Sequence, residues 1–387
     1  MVLLDWEKAF DKVDREGLKN AINRIGVHPK LQRLIDTLYK QTDFKVEMEG
    51  RGSEWTKQKT GIRQGCPLSP YLFLIVMTVL FHDIHKELDG ELIKHRIPGA
   101  NFDEVMYADD TICISTDTRT MNKFLASIEQ KGKKLGLKLN KTKCEVMTTT
   151  VNADIHFEDG TPVPKKEAVT YLGCELGVDG NMQAEVGKRL SKAYVTLQKL
   201  DLFWRHSSCP KKFKIIVLNA VLRTKIMYGI DSAQLNEGEL KKLDQFQLKG
   251  LRKILKLNTT YINRENTNKE IIERANRETQ NTAHPHKKVI PFRQTYLSGK
   301  MKRLKRLLDN QNEDTFTITY KNTLCEVRIP PNRLRQRPKY KWADRVLLET
   351  WDDMKEANTE HRYNNTKFKP GNEEHVQAIK THLENRA

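Results

Sequence analysis

The sequence predicts an α+β protein: an antiparallel sheet packed on helices in the first half, an α-helical region after residue 180, and a basic, partly irregular C-terminal stretch. Three observations carry that expectation. The run Glu104-Val-Met-Tyr-Ala-Asp-Asp-Thr-Ile-Cys-Ile-Ser115 pairs Val105 with Tyr107 and Ile112 with Ile114 across a polar break, the pattern of a tight β-hairpin. Val186, Leu190, Ala193, Leu197 and Leu200 keep a 4-3-4-3 spacing, which is helical. Charge is divided unevenly. Residues 1–180 carry 26 Lys/Arg against 27 Asp/Glu, whereas residues 181–387 carry 42 against 23, so the second half supplies the net +18. A basic half of this kind suits a polyanion such as nucleic acid, although solvated basic faces that bind nothing in particular are common.

Taken in order, Val2-Leu3-Leu4 reads as the end of a buried strand with Asp5 at its C-terminal tip; so short a strand is expected to fray. Trp6, Phe10 and Val13 recur at helical spacing as core residues. Asp14 can cap a helix carrying Leu18, Ile22 and Ile25, which ends near Gly26. Pro29 opens a second helix with Leu31, Leu34, Ile35 and Leu38 on one face. Phe44, Val46 and Met48 alternate as a strand that turns at Gly50-Arg51-Gly52 and returns through Trp55. Gly61 to Gly65 is a loop built for close backbone approach to a ligand, with Arg63 and Gln64 as donors. Ser69-Pro70, read as a cap followed by Pro at the first helical position, then opens a long, mostly apolar helix. After the Asp109-Asp110 hairpin, Met121, Phe124, Leu125 and Ile128 mark an amphipathic helix closed near Gly132 or Gly136. Residues 149–168 are turn-rich. Beyond 180, Pro210 opens a helix with Phe213, Ile216, Val217, Ala220 and Val221, and another carries Leu243, Phe246, Leu251 and Ile254. Apolar periodicity weakens from about residue 259.

Asp-Asp in a polar turn is usually just a solvated turn. Two adjacent carboxylates repel one another unless a cation lies between them, and hard cations with oxygen ligands, Mg²⁺ above all, are their natural partners. Two further stretches raise the functional reading: Leu3-Leu4-Asp5-Trp6-Glu7-Lys8-Ala9-Phe10-Asp11 and Gly61-Ile62-Arg63-Gln64-Gly65-Cys66-Pro67-Leu68-Ser69-Pro70. The order D-x-x-K-A-F-D, then G-x-R-Q-G-C-P-L-S-P, then Y-A-D-D resembles the right-hand polymerase palm of reverse transcriptases, in the version found in non-LTR (LINE-type) retrotransposons. The likeness covers about 175 residues. Each block alone is weakly specific; three in order are highly specific.

The resemblance implies an RNA-directed DNA polymerase that extends a DNA primer 3′-OH on an RNA template with dNTPs, using two Mg²⁺ ions, with Mn²⁺ as a substitute. Asp5 and Asp109 would hold the metals, with Asp110 supporting them. Phe10 would be an aromatic gate against a 2′-OH, and Arg63, Gln64 and Gly65 would contact the nucleotide. Lys143, three residues after Asn140, would be a general acid for pyrophosphate, against the plain reading of a solvated basic run from Lys131 to Lys143. Tyr171, Leu172 and Gly173 would form the primer grip. The implied domains are a palm over 1–178 with its fingers largely missing, a helical thumb over 181–258, and a basic C-terminal region over 259–387. In that region Arg333, Arg335, Arg337, Lys339 and Trp342 interleave basic and aromatic residues, as phosphate contact plus base stacking requires, or as a solvated linker does.

Six cysteines without C-x-x-C pairing read as reduced intracellular thiols, in nucleus or cytoplasm. The first residues do not read as a signal peptide, and the longest apolar run falls short of the ~20 residues of a membrane span, so no secretory or membrane segment is expected. The lack of a fingers region before Asp5 suggests a truncated reading frame with little activity on its own. A group II intron-type maturase and a non-enzymatic nucleic-acid-binding relic are the alternatives.

Overall fold

Strand β1 (Val2–Leu4) lies inside a four-stranded antiparallel sheet, between Asp110–Cys113 on one side and Glu145–Val146 on the other, with Glu104–Tyr107 at the edge beyond Asp110–Cys113. The structure is a computed structural model that describes residues 1–40, 42–97, 100–149, 153–178, 183–280, 288–310, 342–357, 363, 366–369 and 372–385. The chain divides into two compact units, residues 1–178 and 179–387.

In the first unit β1 is followed by helices α1 (Ala9–Lys12), α2 (Arg15–Arg24) and α3 (Pro29–Lys40), then by four two-residue strands β2 (Asp43–Phe44), β3 (Glu47–Met48), β4 (Arg51–Gly52) and β5 (Thr56–Lys57). Helix α4 (Ser69–Leu92) leads to the hairpin β6 (Glu104–Tyr107) and β7 (Asp110–Cys113). Helix α5 (Thr118–Lys134), strand β8 (Glu145–Val146) and the hairpin β9 (Ala168–Tyr171) and β10 (Cys174–Gly177) complete the unit. Successive strand residues face opposite ways, and β1 uses both faces. Val2 and Leu4 join the main core with Phe73, Met77 and Leu80 of α4 and Phe124 and Ile128 of α5. Leu3 joins Ile112 and Val169 on the other face, which the β9–β10 hairpin covers. A strand hydrogen-bonded on both sides has no free edge to fray, so β1 is firmer than its three residues suggest.

Asp14 caps α2 as expected, its Oδ2 accepting from Gly17 N–H at 2.7 Å. Helix α3 departs from expectation. It buries Ile35 and Tyr39, while Leu31, Leu34 and Leu38 are 43–56% exposed, because the contact face follows the i, i+4 pair and leaves the leucine stripe in solvent. The strand expected through Phe44, Val46 and Met48 is split between two small hairpins, with all three residues exposed.

The second unit packs α6 (Gln183–Lys199), α7 (Asp201–His206), α8 (Lys211–Val217), α9 (Thr224–Met227), α10 (Glu237–Leu255), α11 (Asn268–Thr279) and α12 (Phe292–Asp309). From α8 to α9 the buried line is Ile215, Leu218, Leu222 and Ile226; Phe213 and Val221 of the expected face are exposed. That chain segment carries two apolar stripes, and packing selects the other one. Asn236 and Glu239 form a reciprocal capping box on α10. The core of these helices runs on past residue 258 through Ile271, Ala275, Phe292 and Tyr296. A smaller cluster joins the end of α12 to helices Trp342–Glu356 and Glu373–Asn385. Among the described residues no helix is long and apolar enough to cross a membrane.

Candidate active site

Register builds the site. Leu4 pairs with Thr111 and Tyr107 pairs with Asp110, so the next step along the β1–β7 ladder sets Asp5 opposite Asp110. Alternation places both on the Leu3/Ile112 face, where the β9–β10 hairpin lies. Asp109 sits beside them in the two-residue turn between β6 and β7. The first turn residue, Ala108, has φ 55, a left-handed conformation that costs a side-chain-bearing residue roughly 1–2 kcal/mol. Strain at the tip of an otherwise regular hairpin is a mark of functional positions.

Three carboxylates therefore converge, with Asp5 half-buried and Asp109 and Asp110 exposed. Burial, then the charges of Asp109 and Asp5, push the Asp110 carboxyl above the ordinary aspartate range. None of the three is ion-paired among the described residues. Tyr171 closes the near side: its phenol is pushed up by burial and by the Asp110 charge, and its hydroxyl is buried with no hydrogen-bond partner. Mutually repelling carboxylates beside an orphaned hydroxyl fit a divalent cation.

The backbone at Asp5 is bolted down by the turn from Asn140 to Cys144. Asn140 N–H donates to the Asp5 carbonyl at 2.8 Å, and Asp5 N–H donates to Cys144 Sγ at 3.4 Å. Burial pushes the Cys144 thiol up to about 11, so it stays protonated here. Lys143, exposed, lies in the same turn, its N–H on the Asn140 carbonyl at 2.9 Å. The basic run around it is not uniformly solvated: Lys141 bridges Glu129 and Asp159 and lies over the Phe157 ring.

The loop after β5 is tied to the segment after Asp5. Ile62 N–H donates to the Phe10 carbonyl and Gly61 N–H to the Val13 carbonyl, each at 2.8 Å. Gly61 has φ 83, and a Cβ there would meet the Asp11 carbonyl oxygen at 2.6 Å, so only glycine fits. Phe10 is half-buried and stacks on Phe73 with ring centroids 4.8 Å apart. Gln64 Nε2 donates to Asp11 Oδ1 at 3.1 Å. Arg63 is turned back, donating to the Leu38 carbonyl at 3.1 Å over the Tyr39 ring. Gly65 has φ 83 and open space around it. Tyr39 and Asp11 are thus further positioning residues; Asp11 closes the D-x-x-K-A-F-D block, while nothing in the sequence pointed to Tyr39. Leu172 and Gly173 form the β9–β10 turn, both with positive φ, next to Tyr171.

Arg333, Arg335, Arg337 and Lys339 fall outside the described residues. Trp342 is half-buried against the helices of the C-terminal cluster. At the opposite end of β6, His85, Asp103 and Glu104 have the composition to hold a metal, their ligand atoms within 4.8 Å of one another. They are already satisfied. Arg96 Nε and Nη2 donate to Asp103 Oδ2 at 2.8 and 2.6 Å, and His85 Nε2 faces Glu104 Oε2 at 2.9 Å.

Residues 1–176 match the family described as reverse transcriptase (RNA-dependent DNA polymerase). The chain is 26% identical over 268 residues to a retrovirus-related Pol polyprotein from type-1 retrotransposable element R2 of Popillia japonica, covering 67% of this chain and 43% of that protein. The corresponding polyprotein of Nasonia vitripennis is 27% identical over 147 residues, 38% of this chain and 14% of its own length. A transposon TX1 protein of Xenopus laevis is 30% identical over 114 residues, 30% of this chain and 9% of its own. The chain thus spans less than half the length of each of these three relatives. Residues 1–176, whose acidic residues come together at one hairpin, thus match the reverse transcriptase family, and the chain is similar to polyproteins of R2 retrotransposable elements.

Proposed function

We propose that this chain carries the polymerase centre of a non-LTR retrotransposon protein, adding dNTPs to a DNA primer 3′-OH along an RNA template. The observation that supports this best is the register that sets Asp5 against Asp110, with Asp109 in the adjoining turn and no ion-paired cation on any of them among the described residues. Asp5 and Asp109 hold divalent metal, two Mg²⁺ in the full reaction, and Asp110 supports them. When bound, such ions activate the 3′-OH and neutralise charge on the triphosphate.

The chain's own groups do the rest by position. The first unit, 1–178, acts as the palm and the helices that follow as the thumb. Phe10 stands against the sugar and refuses a 2′-OH, while Gln64 and the open backbone at Gly65 receive the nucleotide. Arg63 serves by holding the loop to α3 through Leu38. The hairpin turn Tyr171-Leu172-Gly173 holds the primer end close to Asp110. Lys143, exposed beside the anchored Asp5 backbone, donates a proton to leaving pyrophosphate. Binding of Mn²⁺, followed by its paramagnetic resonance signal, tests the centre without relying on turnover. The wild-type chain is expected to bind, and Asp5→Asn and Asp109→Asn to lose that binding with circular dichroism unchanged. No binding by the wild type, or primer extension that Asp109→Asn leaves intact, overturns the reading.

A further inference from the structure

The loop between α10 and α11 has a feature its packing does not need. Tyr261 is 97% exposed and Ile262 69% exposed, at the tip of a connection that several local hydrogen bonds tie together. Ile262 and Asn263 N–H both donate to the Thr259 carbonyl at 3.0 Å, and Asn266 N–H donates to the Asn263 carbonyl at 3.1 Å. Asn266 is 3% exposed, and its Nδ2 donates to the Asn258 carbonyl at 3.0 Å. Asn263 Oδ1 accepts from Glu265 N–H at 2.9 Å. A floppy loop exposes an aromatic ring at little consequence, because the ring can fold back on the surface. Here the backbone is fixed and the ring is held out in water, which leaves its hydrophobic area unburied.

The surroundings indicate what covers it. Between residues 252 and 269 stand Arg252, Lys253, Lys256, Arg264 and Lys269, against Glu265 alone. Lys253 is paired with Asp201, and Lys269 lies 3.9 Å from Glu273. Lys256 and Arg264, on either side of the tip, have no ion pair among the described residues. Apart from Leu257, which packs on the helical core, the rest of the loop (Asn258, Thr259, Thr260, Asn263, Asn266 and Thr267 among it) is polar or charged. A lipid surface or an apolar protein patch would want more hydrophobic area than two side chains. A polyanion with flat aromatic faces matches a ring flanked by free cations.

We propose that this loop is a stacking contact for single-stranded nucleic acid, in which Tyr261 lies against an unpaired base while Lys256 and Arg264 meet the flanking phosphates. Because the loop is already ordered, little conformational entropy is lost on binding. The inference rests on the reading that the chain handles nucleic acid, but it places a contact in a unit separate from the carboxylates.

The test is fluorescence of a single-stranded RNA of about eight nucleotides carrying 2-aminopurine, titrated with the full chain. Stacking on Tyr261 is expected to quench the probe. Tyr261→Ala should weaken binding about tenfold and abolish the quenching, while Tyr261→Phe keeps both. Replacing Lys256 and Arg264 together by Ala should flatten the log–log salt slope by about 1–2. Tyr261 supports no core, so folding of these variants is not at issue. Unchanged affinity and quenching in Tyr261→Ala overturn the proposal, as does a loss seen only on vesicles of anionic phospholipid. If Tyr261→Ala binds RNA normally while the wild type binds Mn²⁺ through its aspartates, only the loop proposal fails. If stacking is present and the aspartates bind no metal, only the polymerase reading fails.

Discussion

Strand β6 has an acidic pair at each end, and the two ends are treated in opposite ways. Asp103 and Glu104 at its start are met by protein cations: Arg96 grips Asp103, which is only 1% exposed, and His85 meets Glu104. Asp109 and Asp110 at its far end are met by no cation among the described residues, and Asp5 is added to them. By sequence the pairs look alike, Asp-Glu and Asp-Asp six residues apart. The difference lies in what the fold brings opposite. Where the protein supplies the counter-charge, the carboxylates clamp structure; where it withholds it, they stand without an ion pair among the described residues, as the proposed metal site requires. The difference also ranks the expected effects of breaking each end.

The largest effect belongs to the open end. Asp109→Asn in a polymerase-active form is expected to lower Mg²⁺-dependent primer extension by about a thousandfold or more, roughly 4 kcal/mol of barrier, with no change in the unfolding midpoint. The closed end should behave in reverse. Arg96→Met leaves the Asp103 carboxylate buried and poorly compensated, and urea unfolding should show a loss of about 3 kcal/mol. Arg96→Met combined with Asp103→Leu should recover most of it; a double variant as unstable as the single one would mean the pair is not what matters there.

A pH titration separates the ends more finely. The hydrogen bond to Glu104 raises the His85 pKa, against burial, which lowers it. The His85 contribution is therefore complete below the unfolded value near 6.5 and is lost as pH rises through the higher folded value. Stability should fall by on the order of 1 kcal/mol across that window, and His85→Gln should flatten the curve. The smallest effect has the opposite sign. Asp110 is raised in the folded state, so its charge weakens the metal-free fold once pH has risen past the aspartate range. Asp110→Asn should stabilise the metal-free protein at neutral pH by less than about 1 kcal/mol while removing activity. An added divalent cation should stabilise the wild type and not this variant.

Much of the first unit was legible in the sequence, because its signals are local. The Asp14 cap, the hairpin around Asp109 and the long helix after Ser69 are each set by residues within one turn or one pairing. Even there Ser69 does not cap the helix; its hydroxyl reaches back to the Arg63 carbonyl and ties the helix to the Gly61–Gly65 loop. What could not be read was choice among equivalent faces. Helix α3 and the α8–α9 segment each carry two apolar stripes, and only the partner surface decides between Ile35 and Leu34, or between Ile215 and Ile216. Of the candidate site, the motif residues were legible, and the contacts that fix them in place were not. Asn140 and Cys144 reach Asp5 across more than 130 residues of chain, a separation at which no periodicity carries information.

Gly61 has a consequence of a mechanical kind. With the backbone of Asp11 packed where its side chain would be, and hydrogen bonds to Phe10 and Val13 on either hand, the loop and the segment after Asp5 cannot slide past one another. Phe10 and Gln64 are therefore mounted on one frame, like the jaws of a fixed gauge rather than a clamp. On the proposed function, the fit of a nucleotide sugar at this frame is set by side-chain bulk at position 10, without a rearrangement of the loop.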